Sequence, residues 1–498
     1  MVEHGNKNLT QRATTSSIWM MAARLTVRFS DLLLLMLLTR ILSPEDFGLV
    51  AIATSIMAIL DLITDLPIVT PLVRLEAPEK RHMDTAFALS LLRALAIFAM
   101  IWALSGSLAA FYGDERLVNL LLALAAGSAA YGLRSPRLAI LFKRLQFRQS
   151  FMIEVGGKLV GVMVAAAIAI STQAYWALVV SPIVSRVVSS GLSYVYAPYR
   201  PGVSLSEWRM FWDFLGWMFP AQIVVAVSWQ FDRLFLGRVI PIDLLGFYGI
   251  ASNVTSILEQ TVRRAVNAPL TSGFVLIGQD YDRLRRGYLL ADHAIFALGA
   301  PVYMITFFWA DTLVRLAFGE DWLTVAPFLA GLALARVPAL LRVPFRPLAM
   351  AVGNTWLIFQ LAVISISIRI PVVALGYLFG GVPGVIIGIG LGNVFDAAAA
   401  MYLVRRLIAL DWRAQITPVV RTAVMMVPLI AFCGVLGAIM EKMPTDLNLL
   451  LMFVAACLGS LAIYAATVFI SWSASGRPDG IESRLHAKLK TLWARLAK

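Results

Sequence analysis

A chain of 498 residues that is 60% hydrophobic and only 14% charged lies far outside the composition of a soluble globular domain. Its mean hydropathy is +0.80, and about fourteen apolar stretches, each near 20 residues, leave no room for a soluble domain of useful size. The net charge of +13 is spread over short loops and apolar runs, which points away from nucleic acid and toward membrane topology and an anionic ligand.

The segment from Met1 to Ser17 is polar, and the first apolar run is long and carries Arg24, Arg28 and Asp31. A cleavable signal has neither feature, so an uncleaved first helix is expected. A bilayer core of roughly 30 Å takes about 20 helical residues to cross. The predicted spans are 16–42, 47–73, 85–111, 117–141, 151–171, 175–198, 210–240, 243–270, 288–317, 322–341, 355–379, 382–404, 416–440 and 447–472. The odd-numbered connections, from Ser43–Asp46 to Glu441–Asp446, are short and hold only Arg116 and Lys442 as basic residues. The even-numbered ones carry Arg74, Lys80 and Arg81; Lys143, Arg144 and Arg148; Arg200 and Arg209; Arg283, Arg285 and Arg286; Arg342 and Arg346; and Arg405, Arg406 and Arg413. Lys/Arg bias in short loops sets orientation, so both termini are expected in the cytoplasm, with an even number of spans.

An internal repeat is visible. Leu38-Thr39-Arg40-Ile41-Leu42 leads to Phe47-Gly48, and Leu236-Gly237-Arg238-Val239-Ile240 leads to Leu245-Gly246, so that Arg40 matches Arg238 and Gly48 matches Gly246. Spans 1–6 and 7–12 therefore read as two related bundles of the same orientation, a plan in which the transport site lies between the halves. The predicted organisation is 1–200 and 201–410 for the two lobes, 411–475 for an extra span pair, and 476–498 for a basic tail. In that tail Ile481, Leu485, Leu489, Leu492, Trp493 and Leu496 recur at helical spacing, as in an interfacial helix.

Several passages resemble the polysaccharide-export branch of the multidrug/oligosaccharidyl-lipid/polysaccharide (MOP) superfamily, which includes the Wzx O-antigen flippases. One is the turn Leu42-Ser43-Pro44-Glu45-Asp46-Phe47-Gly48; another is Arg137-Leu138-Ala139-Ile140-Leu141 with Arg144, Phe147 and Arg148. The chain departs from the pattern at Asp65-Leu66-Pro67, where these proteins more often have Asp-Leu-Gly. The turn also has a local reading: Ser43 and Asp46 suit a helix N-cap, Pro44 the first turn, and Gly48 close packing. The resemblance implies an all-α polytopic membrane protein, MATE-like, of about fourteen helices, with two six-helix lobes and the extra pair.

Charges inside apolar spans are functional-site hypotheses because their insertion is costly. Arg24, Arg28 and Asp31 fall at i, i+4 and i+7 on one face of span 1. Span 7 carries Asp232 and Arg233, and span 8 carries Glu259, Arg263 and Arg264. Further candidates are Arg93, Lys158, Arg186, Arg336 and Arg369, with Asp61 and Asp65 on one face of span 2. In the MOP fold the first two spans of each lobe line the cavity, so the resemblance implies that Arg24, Arg28, Arg233 and Arg263 converge there. A screened, positively charged cavity suits a diphosphate. Asp31, Asp232 and Glu259 stand as ion-coupling residues or as partners of the arginines.

No Walker A run or Ser/His/Asp set is present; the four histidines (His4, His82, His293, His486) are scattered, and Cys433 and Cys457 fall inside spans, so no metal, cofactor or enzyme chemistry is expected. The expected activity is secondary transport: flipping a polyprenyl-diphosphate-linked oligosaccharide across a bacterial cytoplasmic membrane for exopolysaccharide or lipopolysaccharide assembly. Its partners would be that lipid-linked sugar, membrane lipids, and the polymerase and export machinery. A lipid II flippase, a MATE-type drug or metabolite antiporter and, in a different class, a membrane glycosyltransferase or polymerase are the rival readings. Reporter fusions after Arg148 and after Arg286 are expected to report the cytoplasm, and fusions at Gly113 and Pro444 the outer side. If Gly113 and Arg148 report the same side, the fourteen-span topology fails.

Overall fold

The computed structural model describes residues 2–64, 72, 75, 78–143, 146–215, 218–278, 280–354, 356–440, 442–444 and 447–474. The departure at Asp65-Leu66-Pro67 and the amphipathic tail lie outside them. Among the described residues the regular structure is entirely helical. The elements are α1 (Val2–Leu38), α2 (Pro44–Thr64), α3 (Lys80–Tyr112), α4 (Arg116–Gly132), α5 (Leu138–Lys143), α6 (Phe147–Thr172), α7 (Trp176–Tyr196), α8 (Trp208–Leu215) and α9 (Met218–Val239). They continue with α10 (Ile242–Ile277), α11 (Tyr281–Phe308), α12 (Ala310–Phe318), α13 (Val325–Arg336), α14 (Phe345–Ala351), α15 (Trp356–Ile408), α16 (Trp412–Met425), α17 (Val427–Met440) and α18 (Leu447–Ala474).

The predicted spans fall on helices, singly or as consecutive sets, except that the eleventh and twelfth share one helix and most of the end of the second lies outside the described residues. The tenth is interrupted by a 3₁₀ turn, Pro338–Arg342, where Pro338 and Pro344 each withdraw a backbone donor from the helical ladder. Eight helical segments among the described residues are long and apolar enough to cross a membrane. One of these, α15, is 53 residues long and contains the eleventh and twelfth spans, separated by non-helical backbone at Gly380 and Gly381. Gly381 has φ +57°, a left-handed value that glycine adopts without the steric cost of a Cβ. The arms then pack back to back: a Cβ on Gly384 would lie 1.9 Å from the Gly376 carbonyl oxygen.

Local sequence sets the helix ends. At the start of α2, Ser43 Oγ accepts from the Asp46 amide at 3.3 Å, while the Asp46 carboxylate accepts from the Ser43 amide at 3.1 Å. This is a capping box, with Asp in the position more often held by Glu or Gln. The basic exception among the odd connections, Arg116, is neutralised where it stands. Its guanidinium forks onto Asp114 (2.7 Å) and reaches Glu45 (2.6 Å), tying the α1–α2 and α3–α4 connections together. Arg116 holds the Asp114 carboxyl below the usual carboxylate range.

The chain packs as two compact units, Met1–Gly249 and Ile250–Lys498. In the first, α6 and α7 form the most extensive helix pair. Gly157 and Gly161, one turn apart on α6, face Ser189, Ser185 and Ser181 on α7; a Cβ on Gly161 would sit 2.1 Å from Ser185 Oγ and 2.5 Å from the Ser181 carbonyl oxygen. Small residues at four-residue spacing let helix backbones approach where lipid supplies no hydrophobic drive. The two repeat glycines meet in the same unit. A Cβ on Gly48 would strike the Ile242 carbonyl oxygen at 1.9 Å, and one on Gly246 would strike that of Pro44 at 1.9 Å. The matched motifs thus cross each other with reciprocal contacts.

In the second unit, α16–α18 share one core with α11, in which Tyr303, Met304 and Trp309 pack among Met425, Leu429, Cys433 and Leu449. Trp309 Nε1 donates to the Cys433 carbonyl oxygen at 2.9 Å. Both cysteines are unbonded thiols. Because the Ser181 carbonyl belongs to helix backbone and cannot move aside, Gly161→Val is expected to destabilise the first unit by about 1–3 kcal/mol or more. The measurement is a lowered unfolding temperature of the detergent-purified protein, with Gly106→Val, at a site with open space around it, as the control.

Candidate functional site

Three ion clusters lie inside the helical units, each organised around a carboxylate. The first joins α1 to α6. Asp31 pairs with Lys158 Nζ at 2.5 Å and lies 3.8 Å from Arg28 Nη1. Lys158 lies between Gly157 and Gly161, so the tight α6–α7 seam sets the direction from which its ammonium approaches α1. One turn earlier on α1, Arg24 is exposed and its Nη2 contacts Met20 Sδ at 3.2 Å. This face of α1 therefore presents Arg24 and Arg28 beside a single carboxylate, to which α6 adds Lys158.

The second cluster joins α2, α3, α4 and α7. Asp61 accepts Arg186 Nη2 at 2.9 Å, lies 3.9 Å from Arg93 Nη2, and accepts the Ser128 hydroxyl. Arg93 also donates to the Asp61 carbonyl at 3.4 Å, so it serves as an internal partner and does not reach for the membrane surface. The third cluster belongs to the second unit. Glu259 on α10 pairs with Arg336 and lies 3.8 Å from Arg342; Arg342 reaches on to Asp396 at 2.8 Å, where Ser365 also donates at 2.8 Å. Arg263, one turn from Glu259, lies near enough to act on its charge.

Several sequence-based assignments can now be placed. Asp31 and Glu259 are each ion-paired, with Lys158 and Arg336 respectively. Asp232 is buried and accepts the Tyr248 hydroxyl; its Oδ1 has no hydrogen-bond partner among the described residues. Arg233 is half-buried beside it. The Arg264 side chain lies outside the described residues. Arg342, read from sequence as part of a basic connection, instead turns inward to Asp396, which is 2% exposed. Asp396 was missed, although a lone aspartate in the apolar twelfth span was a usable signal. Asp292 on α11, 3% exposed in an otherwise apolar stretch, offered the same signal.

In the first two clusters the cations outnumber the carboxylates, so removing a carboxylate strands more than one charge. Asp61→Asn is expected to cost about 3–5 kcal/mol of stability by leaving Arg93 and Arg186 uncompensated. Arg186→Met alone should cost less, because Asp61 keeps Arg93. The measurement is thermal unfolding in detergent; equal losses in the two variants would show that Asp61 is not the hub.

The fold is that of a polytopic helical membrane protein with charge clusters inside its helical units, and solved structures share that fold. The lipid II flippase MurJ in an inward closed conformation superposes with a TM-score of 0.71 at 13% identity, covering 93% of this chain and 100% of that one. An inward-facing multidrug resistance MATE family transporter of the MOP superfamily gives a TM-score of 0.63 at 18% identity, covering 77% and 94% of the two chains. A family model described as polysaccharide biosynthesis protein matches residues 37–327, more than half of the chain, and the chain belongs to that family. The succinoglycan biosynthesis transport protein ExoT of Rhizobium meliloti is 26% identical over 379 residues, 74% of this chain and 75% of ExoT. The lipopolysaccharide biosynthesis protein WzxC of Escherichia coli is 20% identical over 404 residues, 80% of this chain and 81% of WzxC.

Proposed function

We propose that this protein is a flippase that carries a polyprenyl-diphosphate-linked oligosaccharide repeat unit across a bacterial cytoplasmic membrane for polysaccharide assembly. It acts as a transporter and not as an enzyme. The observation that carries the reading is the cationic face of α1, where exposed Arg24 and half-buried Arg28 share one side with Asp31, whose carboxylate pairs with Arg28 and with Lys158 of α6. Such a face is costly inside an apolar helix unless it meets a cavity or an anion. A diphosphate offers the oxygens that guanidinium groups grip in pairs.

In this reading Arg24 and Arg28 hold the diphosphate, and Arg233, Arg263 and Arg264 extend the anion path along later spans. Asp31 orients Arg28 and Lys158, and Asp232, which accepts the Tyr248 hydroxyl, is the coupling candidate. Support for the cargo comes from relatives named for lipopolysaccharide and succinoglycan biosynthesis. A cation-exporting antiporter would need acidic residues in excess, the reverse of the balance here. The basic connections place both termini in the cytoplasm, and the polymerase and export machinery would receive the flipped unit.

Arg24→Ala and Arg28→Ala are expected to insert normally and to block polysaccharide export. Loss of one charge-assisted contact weakens binding by about 1.5–3 kcal/mol, roughly ten-fold to a hundred-fold. Lys at either position should restore export only in part, because an ammonium keeps the charge and loses the planar fork. Arg405→Ala, at an exposed residue near Asp411, is the control. Full export by the Arg24→Ala, Arg28→Ala double variant at wild-type protein level overturns the assignment.

A further inference from the structure

A pocket of about 660 Å³ opens at the end of the first unit where the basic connections collect. It lies among the N-terminus of α3, the α4–α5 connection and the C-terminus of α7, and Lys80, Arg137 and Arg200 line it together with Met83, Tyr194 and Tyr199. Its volume is that of a small-molecule site. Arg137 is held in place by one N–H, which donates to the Pro198 carbonyl at 2.8 Å, leaving the rest of its fork to the pocket. Arg200 makes no hydrogen bond or ion pair among the described residues. A carboxylate beside the lining, Asp84, lies 3.8 Å from Lys80 and accepts the Tyr199 hydroxyl, so it offsets part of the positive charge.

The second unit has a counterpart. A pocket of about 670 Å³ lies at the N-terminus of α11, the end of α14 and the C-terminus of α15. In the order of spans these three places correspond to those of the first unit, and the N-terminus of α15, with Trp356, Leu357 and Gln360, adds a fourth. Its polar lining is Tyr281, Asn354, Gln360 and the single cation Arg406. Repeated helix packing therefore accounts for the cavity, but it does not account for three cations in one copy and one in the other.

The depth of the first pocket indicates what it meets. Its residues straddle the ends of spans 3, 4 and 6, and its two tyrosines sit where amphipathic rings mark a membrane–water boundary. Basic pockets between membrane helices at that level recognise anionic lipid headgroups. We propose that this pocket binds the phosphate of an anionic membrane phospholipid, with Arg137 and Arg200 gripping its oxygens and Lys80 adding charge. The site is separate from the α1 face assigned to the transported diphosphate, and it stands whether or not that assignment does.

The test is thermal unfolding of the detergent-purified full-length protein titrated with dihexanoyl phosphatidylglycerol, dihexanoyl phosphatidylcholine, or inorganic phosphate. The phosphatidylglycerol is expected to raise the unfolding temperature saturably, and the phosphatidylcholine not to. Arg137→Gln with Arg200→Gln should raise the midpoint concentration about ten-fold or more, in line with the loss of charge-assisted contacts. Arg200→Gln alone, at an exposed side chain without a structural bond, should raise it in the same direction even if the double variant folds poorly. Arg406→Gln, in the counterpart pocket, should leave it unchanged. An unchanged midpoint in Arg200→Gln, an equal response to phosphatidylcholine, or a loss in Arg406→Gln overturns the proposal. Inorganic phosphate acting at the same concentration as the lipid would assign the pocket to a soluble anion and overturn the lipid as its ligand.

Discussion

Charge buried in a medium that cannot solvate it governs this molecule. A carboxylate or guanidinium inside an apolar helix must find a partner of opposite sign, because neither lipid tails nor packed side chains replace water. The chain meets this requirement with a recurring economy: one carboxylate serves two cations. Asp31 holds Arg28 and Lys158, Asp61 holds Arg93 and Arg186, and Glu259 holds Arg336 with Arg342 nearby. The first two clusters stay positive, while in the third Asp396 also engages Arg342 and balances its charge. Structural pairing and a basic interior thus arise from the same side chains, and both suit a protein that handles an anion.

Such clusters work only if the helices carrying them are held in register, and between helices in lipid that register cannot come from the hydrophobic effect. Here it comes from small residues. Gly157 and Gly161 bring α6 against the serines of α7, and the same seam carries Lys158 on one helix and Arg186, next to Ser185, on the other. In the second unit Gly376, Gly384 and Gly388 close the two arms of α15 together, which brings Ser365 and Asp396 within hydrogen-bonding distance across them. Backbone contact between helices is therefore the scaffold, and the ion clusters are mounted on it.

The repeat gives this arrangement a second level of organisation. The glycine that follows each matched Arg motif touches the opening carbonyl of the other motif's helix, so Gly48 and Gly246 form one reciprocal crossing. Pockets of nearly equal volume recur at corresponding helix ends, with different chemistry in their linings. The helices α16–α18 bury apolar side chains against α11.

The spans, the alternation of basic and neutral connections, the Ser43–Asp46 cap and the matched glycines were all legible in the sequence. Each depends on local chemistry: hydropathy over about 20 residues, loop charge, and the backbone requirements of a turn. Several intramembrane charges could be named in the same way, since a charged residue in an apolar run is conspicuous without any structure. Their partners could not. Asp31 meets Lys158, Asp61 meets Arg186, and Arg342 turns from an apparent loop position to Asp396, across sequence separations that no helical period records. Helical spacing relates only residues a turn or two apart, whereas an ion pair depends on which faces of separate helices meet. Tertiary packing decided that, through glycine contacts whose partners lie on other helices.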